Sequence, residues 1–335
     1  MPLPGIATLD VTENTMILNM GPQHPSTHGV LRLLLEIDGE TVVRMIPDIG
    51  YLHTGIEKTC EAKFYQQVVV LTDRIDYLCP MTNNLCYVLA VEKLLGMEIP
   101  PRAQWMRVML NELTRIASHL VWLGTHALDI GAMTVFLYCF REREEILRIF
   151  EMVSGQRMMT SYFRVGGLAL DAPLGFFEKV KKFIDIFPSR VDEYEGLLTG
   201  NRIWIERLKG VGHLSAEDGI ALGVTGPALR ASGIDWDLRR DMPYTGYENF
   251  KFKVPVSQDG DVWARYVGRV RELRESIGIV KQALEGMPEG RIKADAESRS
   301  SRSRKDEDAD GSAHLSLQDR DRRLYRPGRR GLPGD

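Results

Sequence analysis

Two histidines four residues apart open the chemical reading of this chain. They lie in Gly21-Pro22-Gln23-His24-Pro25-Ser26-Thr27-His28-Gly29. Pro25 biases His24 away from the α region, so the pair does not read like the two ligands of a zinc helix. No third ligand is evident for a metal, and the spacing alone reads as turn histidines satisfied by backbone hydrogen bonds. Two further constellations carry chemistry: Arg74-Ile75-Asp76-Tyr77-Leu78-Cys79 before a predicted helix, and His126-Ala127-Leu128-Asp129-Ile130-Gly131-Ala132 at a predicted helix junction. A phenol and an imidazole both offer hydrogen-bond donors with accessible protons. Together they suit a ligand with two carbonyl oxygens that gains protons on reduction. Taken singly, Tyr77 reads as a core aromatic with a satisfied hydroxyl and Asp129 as an N-cap. It is their joint occurrence that points to function.

What is missing narrows the chemistry further. The four cysteines, Cys60, Cys79, Cys86 and Cys139, form no C-x-x-C pair, which excludes the usual iron–sulfur and zinc-ribbon ligand sets and a disulfide framework. Neither a G-x-G-x-x-G turn nor a G-x-x-x-x-G-K-[ST] phosphate loop occurs, so any redox chemistry requires another subunit to carry the electrons. With 43 Lys and Arg against 46 Asp and Glu, the charge offers no case for general nucleic-acid binding. Apolar runs such as 68–71 are far shorter than the roughly 20 residues that span a bilayer. The first twelve residues have neither a basic nor an apolar leader region, which places the chain in the cytosol or on a membrane face.

The elements that must position these residues change character along the chain. Strands are predicted over 15–19, 30–37 and 41–46, with Asp38-Gly39 as the hairpin signal between the last two. From Pro47 the period changes, and helices are predicted over 55–71, 80–95, 101–123, 127–153, 174–198, 216–222 and 261–284, with a half-buried strand over 249–256. Leu110, Leu113, Ile116, Ala117, Leu120 and Val121 form an apolar stripe suited to bundle packing. The fold class is α+β, a largely helical bundle with a small N-terminal antiparallel sheet. Three regions follow: an N-terminal β region over 1–50, a helical body over 51–294, and a tail over 295–335. In that tail the only apolar residues other than alanine are Leu315, Leu317, Leu324, Tyr325 and Leu332, too few to offset ordering entropy, so it is expected to be disordered.

Several segments together resemble one family, the quinone-site subunit of proton-pumping NADH:quinone oxidoreductase, respiratory complex I. They are GPQHPSTHGVLRL (21–33), IGYLHTGIEKT (49–59), DRIDYL (73–78), AVEKLLG (90–96), PPRAQWMRV (100–108), HALDIGAMT (126–134), FREREEI (140–146), ASGIDWDLR (231–239) and VKQALEGMP (280–288). The resemblance covers about 15–294. It implies the fold of the nickel–iron hydrogenase large subunit, whose metal is held by two C-x-x-C pairs. Here Asp76 and Cys79 stand where the first pair would lie, which implies a quinone pocket in place of the metal cavity and disfavours a hydrogenase.

On that resemblance the quinone ligands fall on His28, Tyr77 and Asp129, with Tyr77 and His28 meeting the headgroup and Asp129 holding His28. The same resemblance implies that quinone is the substrate and that no cofactor is bound by this chain alone. NADH, flavin and the iron–sulfur clusters belong to partner subunits, above all a small iron–sulfur subunit, with a membrane-arm subunit at the quinone entrance. The implied location is the cytoplasmic side of the bacterial inner membrane, and the chain is expected to be inactive alone. Two departures stand out: Asp48 replaces an expected histidine in PDIGYLHTG, and the residues after Pro288 do not continue the family's strand-rich last segment. The tail reads as coding sequence in the wrong frame, so a truncated, non-catalytic assembly or scaffold piece is the alternative reading.

Overall fold

A computed structural model describes residues 15–25, 27 and 29–294, which form two compact units divided between Ala62 and Lys63. The predicted tail and His28 lie outside the described residues.

The first unit is an antiparallel meander of β1 (Met16–Met20), β2 (Arg32–Asp38) and β3 (Thr41–Asp48), followed by the short α1 (Ile56–Glu61). All three strands fall within two residues of expectation. Asp38 pairs with Thr41 across a two-residue loop, and Gly39 takes φ 59, the left-handed conformation such a tight turn requires. Arg32 ties the sheet together: its Nε donates to Asn19 Oδ1 on β1 at 3.0 Å and its Nη1 to Asp48 Oδ2 on β3 at 2.8 Å. The Tyr51 hydroxyl donates to the same Asp48 oxygen at 2.8 Å. Asp48 is therefore an ion-pair and hydrogen-bond acceptor, and Tyr51 and Arg32 hold its carboxyl below the usual range.

In the second unit the order is α2 (Tyr65–Thr72), α3 (Pro80–Leu95), α4 (Pro101–Asp129), α5 (Met133–Ser154), a hairpin of β4 (Phe163–Arg164) and β5 (Gly167–Leu168), and α6 (Phe176–Leu198). There follow α7 (Arg202–Leu208), α8 (Ala216–Ala221), α9 (Gly226–Ala231), α10 (Leu238–Asp241), a 3₁₀ turn (Tyr247–Asn249) and α11 (Val262–Glu285). Helices α4, α5, α6 and α11 pack as a closed ring of neighbours, a four-helix bundle, with α3 laid against α4. The predicted stripe Leu110, Leu113, Ile116, Ala117 and Leu120 is buried in its centre, while Val121 is half-buried. Among the described residues no helix is long and apolar enough to cross a membrane. The α+β class, a largely helical bundle with a small N-terminal antiparallel sheet, matches expectation.

Three expectations need correction. The helix predicted over 55–71 is broken, because Phe64 is extended and its N–H is accepted by the Gln67 side chain, which starts α2 afresh. The 249–256 strand does not form. Phe250 and Phe252 do turn inward, but the backbone of Lys251 and the N–H of Lys253 are satisfied by Gln282 and Glu275 side chains of α11 instead of by a strand partner. Finally, α4 runs on through Gly124 to Asp129. Gly124 serves close packing here: a Cβ would sit 3.3 Å from both Cys139 Cβ and Phe136 Cα on α5.

Candidate functional site

Tyr77 lies on the turn between α2 and α3, and the turn is fixed from below. Asp73, at the end of α2, is wholly buried. Its Oδ1 accepts from Asn84 Nδ2 at 2.6 Å, and its Oδ2 accepts from the backbone N–H of Ser161 at 2.9 Å and from the Ser161 hydroxyl. Burial pushes the Asp73 carboxyl up, against the pull of the Ser161 donors. Further along, Asp76 caps the turn, taking the Leu78 N–H on Oδ1 at 3.0 Å and the Cys79 N–H and Asn83 Nδ2 on its carbonyl. Between these anchors Tyr77 remains 55% exposed. The core-aromatic reading of Tyr77 is thus overturned: every bond that fixes the turn is made by its neighbours.

Burial raises the Cys79 thiol pKa. Just after the turn, Thr82 Oγ1 in the first turn of α3 donates to Asn111 Oδ1 at 2.7 Å, so the start of α3 rests on α4. Eighteen residues beyond Asn111, about 27 Å of axis at 1.5 Å per residue, α4 ends in Asp129. Asp129 is exposed and is the last residue of α4, not an N-cap; Ala132 caps α5. One turn before it, His126 stacks on Trp122 with ring centroids 5.2 Å apart and meets the Trp204 ring edge-on at 5.2 Å. Burial lowers the His126 pKa while Asp129 raises it. Tyr77 and Asp129 thus belong to the second unit, one on the turn before α3 and the other at the end of α4. His28 belongs to the first unit and lies outside the described residues.

A buried ionic cluster on α4 escaped the sequence reading. Glu112 is fully buried and accepts from Tyr247 OH at 2.6 Å, Ser276 Oγ at 2.6 Å, Arg239 Nη1 at 3.2 Å and Arg115 Nε at 3.2 Å. Burial opposes its charge, but Arg115, Arg239 and the two hydroxyls outweigh it and hold the pKa at about 2. Two turns on, His119 Nε2 meets Glu272 at 2.7 Å, and Glu272 also pairs with Arg230. Burial lowers the His119 pKa despite Glu272. The signal available in the sequence was a helix apolar on too wide a face to leave a solvated side, so that Glu112 and its neighbours had to find buried partners.

Residues 129–316 match the family model of the respiratory-chain NADH dehydrogenase 49 kDa subunit, and residues 54–169 that of nickel-dependent hydrogenases. The chain is similar to a D-type subunit of NADH-quinone oxidoreductase from Koribacter versatilis, with 76% identity over 284 residues, 85% of this chain and 71% of that protein. The corresponding D-type subunit from Solibacter usitatus is 70% identical over 281 residues, 84% of this chain and 69% of the relative. That from Geotalea uraniireducens is 61% identical over 280 residues, 84% and 72% of the two chains.

Proposed function

The chain belongs to the family of D-type subunits of NADH-quinone oxidoreductase, the 49 kDa subunit of the respiratory-chain NADH dehydrogenase, and from that membership we propose that it forms one wall of the quinone-reduction cavity and supplies protons to the reduced quinone, coupled to proton translocation. The observation that carries this reading is Tyr77, a half-exposed phenol on a turn whose base is wholly buried and hydrogen-bonded. Such a group is pre-organised to face a ligand.

A quinone takes up two electrons and two protons to become a quinol. In this reading Tyr77 donates from its hydroxyl to one oxygen of the headgroup. His28 donates to the other, with the Asp129 carboxylate as its partner. Both donors stabilise the negative charge that builds on the oxygens.

Electrons arrive from an iron–sulfur cluster of a neighbouring small subunit, while NADH and flavin are handled by other subunits. A membrane-arm subunit borders the quinone entrance, and this chain lies peripherally on the cytoplasmic side of the bacterial inner membrane. By itself the chain turns over nothing. A photoreactive short-chain quinone added to the assembled complex tests the site: it is expected to label the peptide spanning 73–79, and labelling of this chain only at peptides remote from Tyr77 and Asp129 contradicts the assignment.

A further inference from the structure

The FREREEI segment (140–146) lies in α5 and takes no part in the quinone reading. Its charged residues pair off with one exception. Arg141 Nε donates to Glu142 Oε1 at 2.8 Å and its Nη2 to Glu193 Oε2 at 2.8 Å, and Glu142 also accepts from the Tyr194 hydroxyl at 3.0 Å. Glu144 accepts from Arg157 Nη1 at 2.8 Å, and Glu145 from Arg148 Nη1 at 2.9 Å and from Lys179. Arg143 makes no hydrogen bond or ion pair among the described residues, and its Nε is buried with no acceptor.

Burial makes this exception costly. Only 8% of Arg143 is accessible, and Arg107, Arg230 and Arg239 are buried like it. Those three have carboxylate partners in Glu92, Glu272 and Asp237. Arg143 has the Phe140 ring, whose centre lies 5.8 Å from the guanidinium carbon and is a weak substitute for an anion. Burial lowers its pKa, helped by the charge of Arg157 and opposed by Glu144, yet a guanidinium stays ionised in a protein. A buried charge is tolerated where it is paired, and this one is not paired by its own chain.

The helix around Arg143 indicates what pairs with it. Met133, Leu137, Phe140 and Arg143 follow one another at spacings of four, three and three, and Met133 and Leu137 are 60% and 55% exposed. An apolar stripe on the outside of α5 thus runs up to a cation. A small inorganic anion would neutralise the cation and leave the stripe in water. A protein segment that carries apolar side chains and a carboxylate answers both. We propose that α5 is a docking surface for a neighbouring subunit of the complex, which lays apolar side chains on Met133 and Leu137 and brings a carboxylate to Arg143.

Arg143→Met tests this, because it removes the charge and keeps an apolar side chain in the same place. In the full chain purified alone it is expected to raise the midpoint of thermal unfolding by roughly 2–4 °C, since an unpaired buried charge is gone. In reconstitution of the complex the same variant is expected to bind the remaining subunits at least about tenfold more weakly, because the partner's carboxylate then loses its cation. A fall in the midpoint of the chain alone, or unchanged assembly, overturns the proposal. Phosphate that stabilises the wild-type chain alone but not Arg143→Met assigns the site to a small anion and overturns it equally. If the chain alone does not fold, Arg143→Lys in the assembled complex decides. Zero-length carbodiimide coupling of the introduced amine is expected to join it to a carboxylate of another subunit, read by mass spectrometry, and coupling within this chain only, or none, overturns the proposal.

Discussion

The carboxylate of Asp73 accepts both the backbone N–H and the hydroxyl of Ser161, a residue 88 positions later in the chain. Ser161 sits at φ 42, a left-handed conformation that a non-glycine residue rarely adopts. The bond pair joins the end of α2 to the segment leading into β4, and Asn84 on α3 adds a third donor to the same carboxylate. One buried side chain thus holds together the three pieces of chain around the base of the Tyr77 turn.

Asp73→Ala leaves those three donors, one of them fully buried, without their acceptor. The expected cost is about 2–4 kcal/mol of stability, the range for breaking a buried hydrogen-bond network. Urea unfolding of the variant checks it, with faster amide exchange at Ser161 as the local signature. A loss below roughly 0.5 kcal/mol, the size of an ordinary surface change, would mean that other contacts hold the turn.

Acid should unfold the second unit through Glu112. Its pKa is about 2 in the folded chain against an ordinary 4.5. The folded value is the lower one, so the stabilisation is full above pH 4.5 and is lost as pH falls through about 2; it is worth roughly 3 kcal/mol at 1.36 kcal/mol per unit. Asp73 opposes this, because its folded pKa is raised and its contribution is greatest at low pH. Glu112→Gln is expected to be less stable at pH 7 and to show a shallower decline of unfolding free energy between pH 4.5 and 2. Glu272 and Asp237, also held low by their partners, keep the remaining slope. An unchanged slope in the variant contradicts the assignment of this acid limb to Glu112.

The β4–β5 hairpin depends on a buried ion pair. Arg107 Nη1 and Nη2 contact the two Glu92 oxygens at 2.9 and 2.6 Å, Arg107 also donates to the carbonyls of Arg164 and Gly167, and Glu92 accepts the Gly166 N–H at 2.8 Å. Removing one partner of such a pair strands the other charge in the core. Glu92→Ala is expected to cost about 3–5 kcal/mol. Exchanging both residues, Glu92→Leu with Arg107→Met, should cost less than the single change, and a larger loss in the double variant than in Glu92→Ala would show that the hairpin needs the pair itself.

Periodicity made most of this fold legible. The strands around Asp38 and the helices beginning at Pro80 and Pro101 follow from turn chemistry, apolar spacing and proline at the first helical turn. What periodicity misses is how buried backbone and charge are satisfied. Phe250, Phe252 and Val254 alternate like a strand, yet Gln282 and Glu275 provide the hydrogen bonds, a long-range pairing that no local pattern encodes. Gly124 looks like a helix end and is instead a contact point between helices. For the site, residue types single out the segments of Tyr77 and Asp129 and the family resemblance implies their roles, whereas the buried cluster of Glu112 and Arg115 is hidden because charged residues on a helix are read by default as its solvated face.

The central claim is that Tyr77 gives a proton to quinone, and the most direct measurement compares two activities of the complex carrying Tyr77→Phe. The phenyl ring keeps the size and exposure of the side chain and removes only the hydroxyl. NADH-driven quinone reduction should fall by roughly 10²- to 10⁴-fold, the typical contribution of a positioned general acid, while NADH oxidation by an artificial acceptor that bypasses the quinone site should stay at the wild-type rate. Quinone reduction at the wild-type rate in the assembled variant would contradict the account, and an equal loss of both activities would place the effect of the hydroxyl in assembly and not in catalysis.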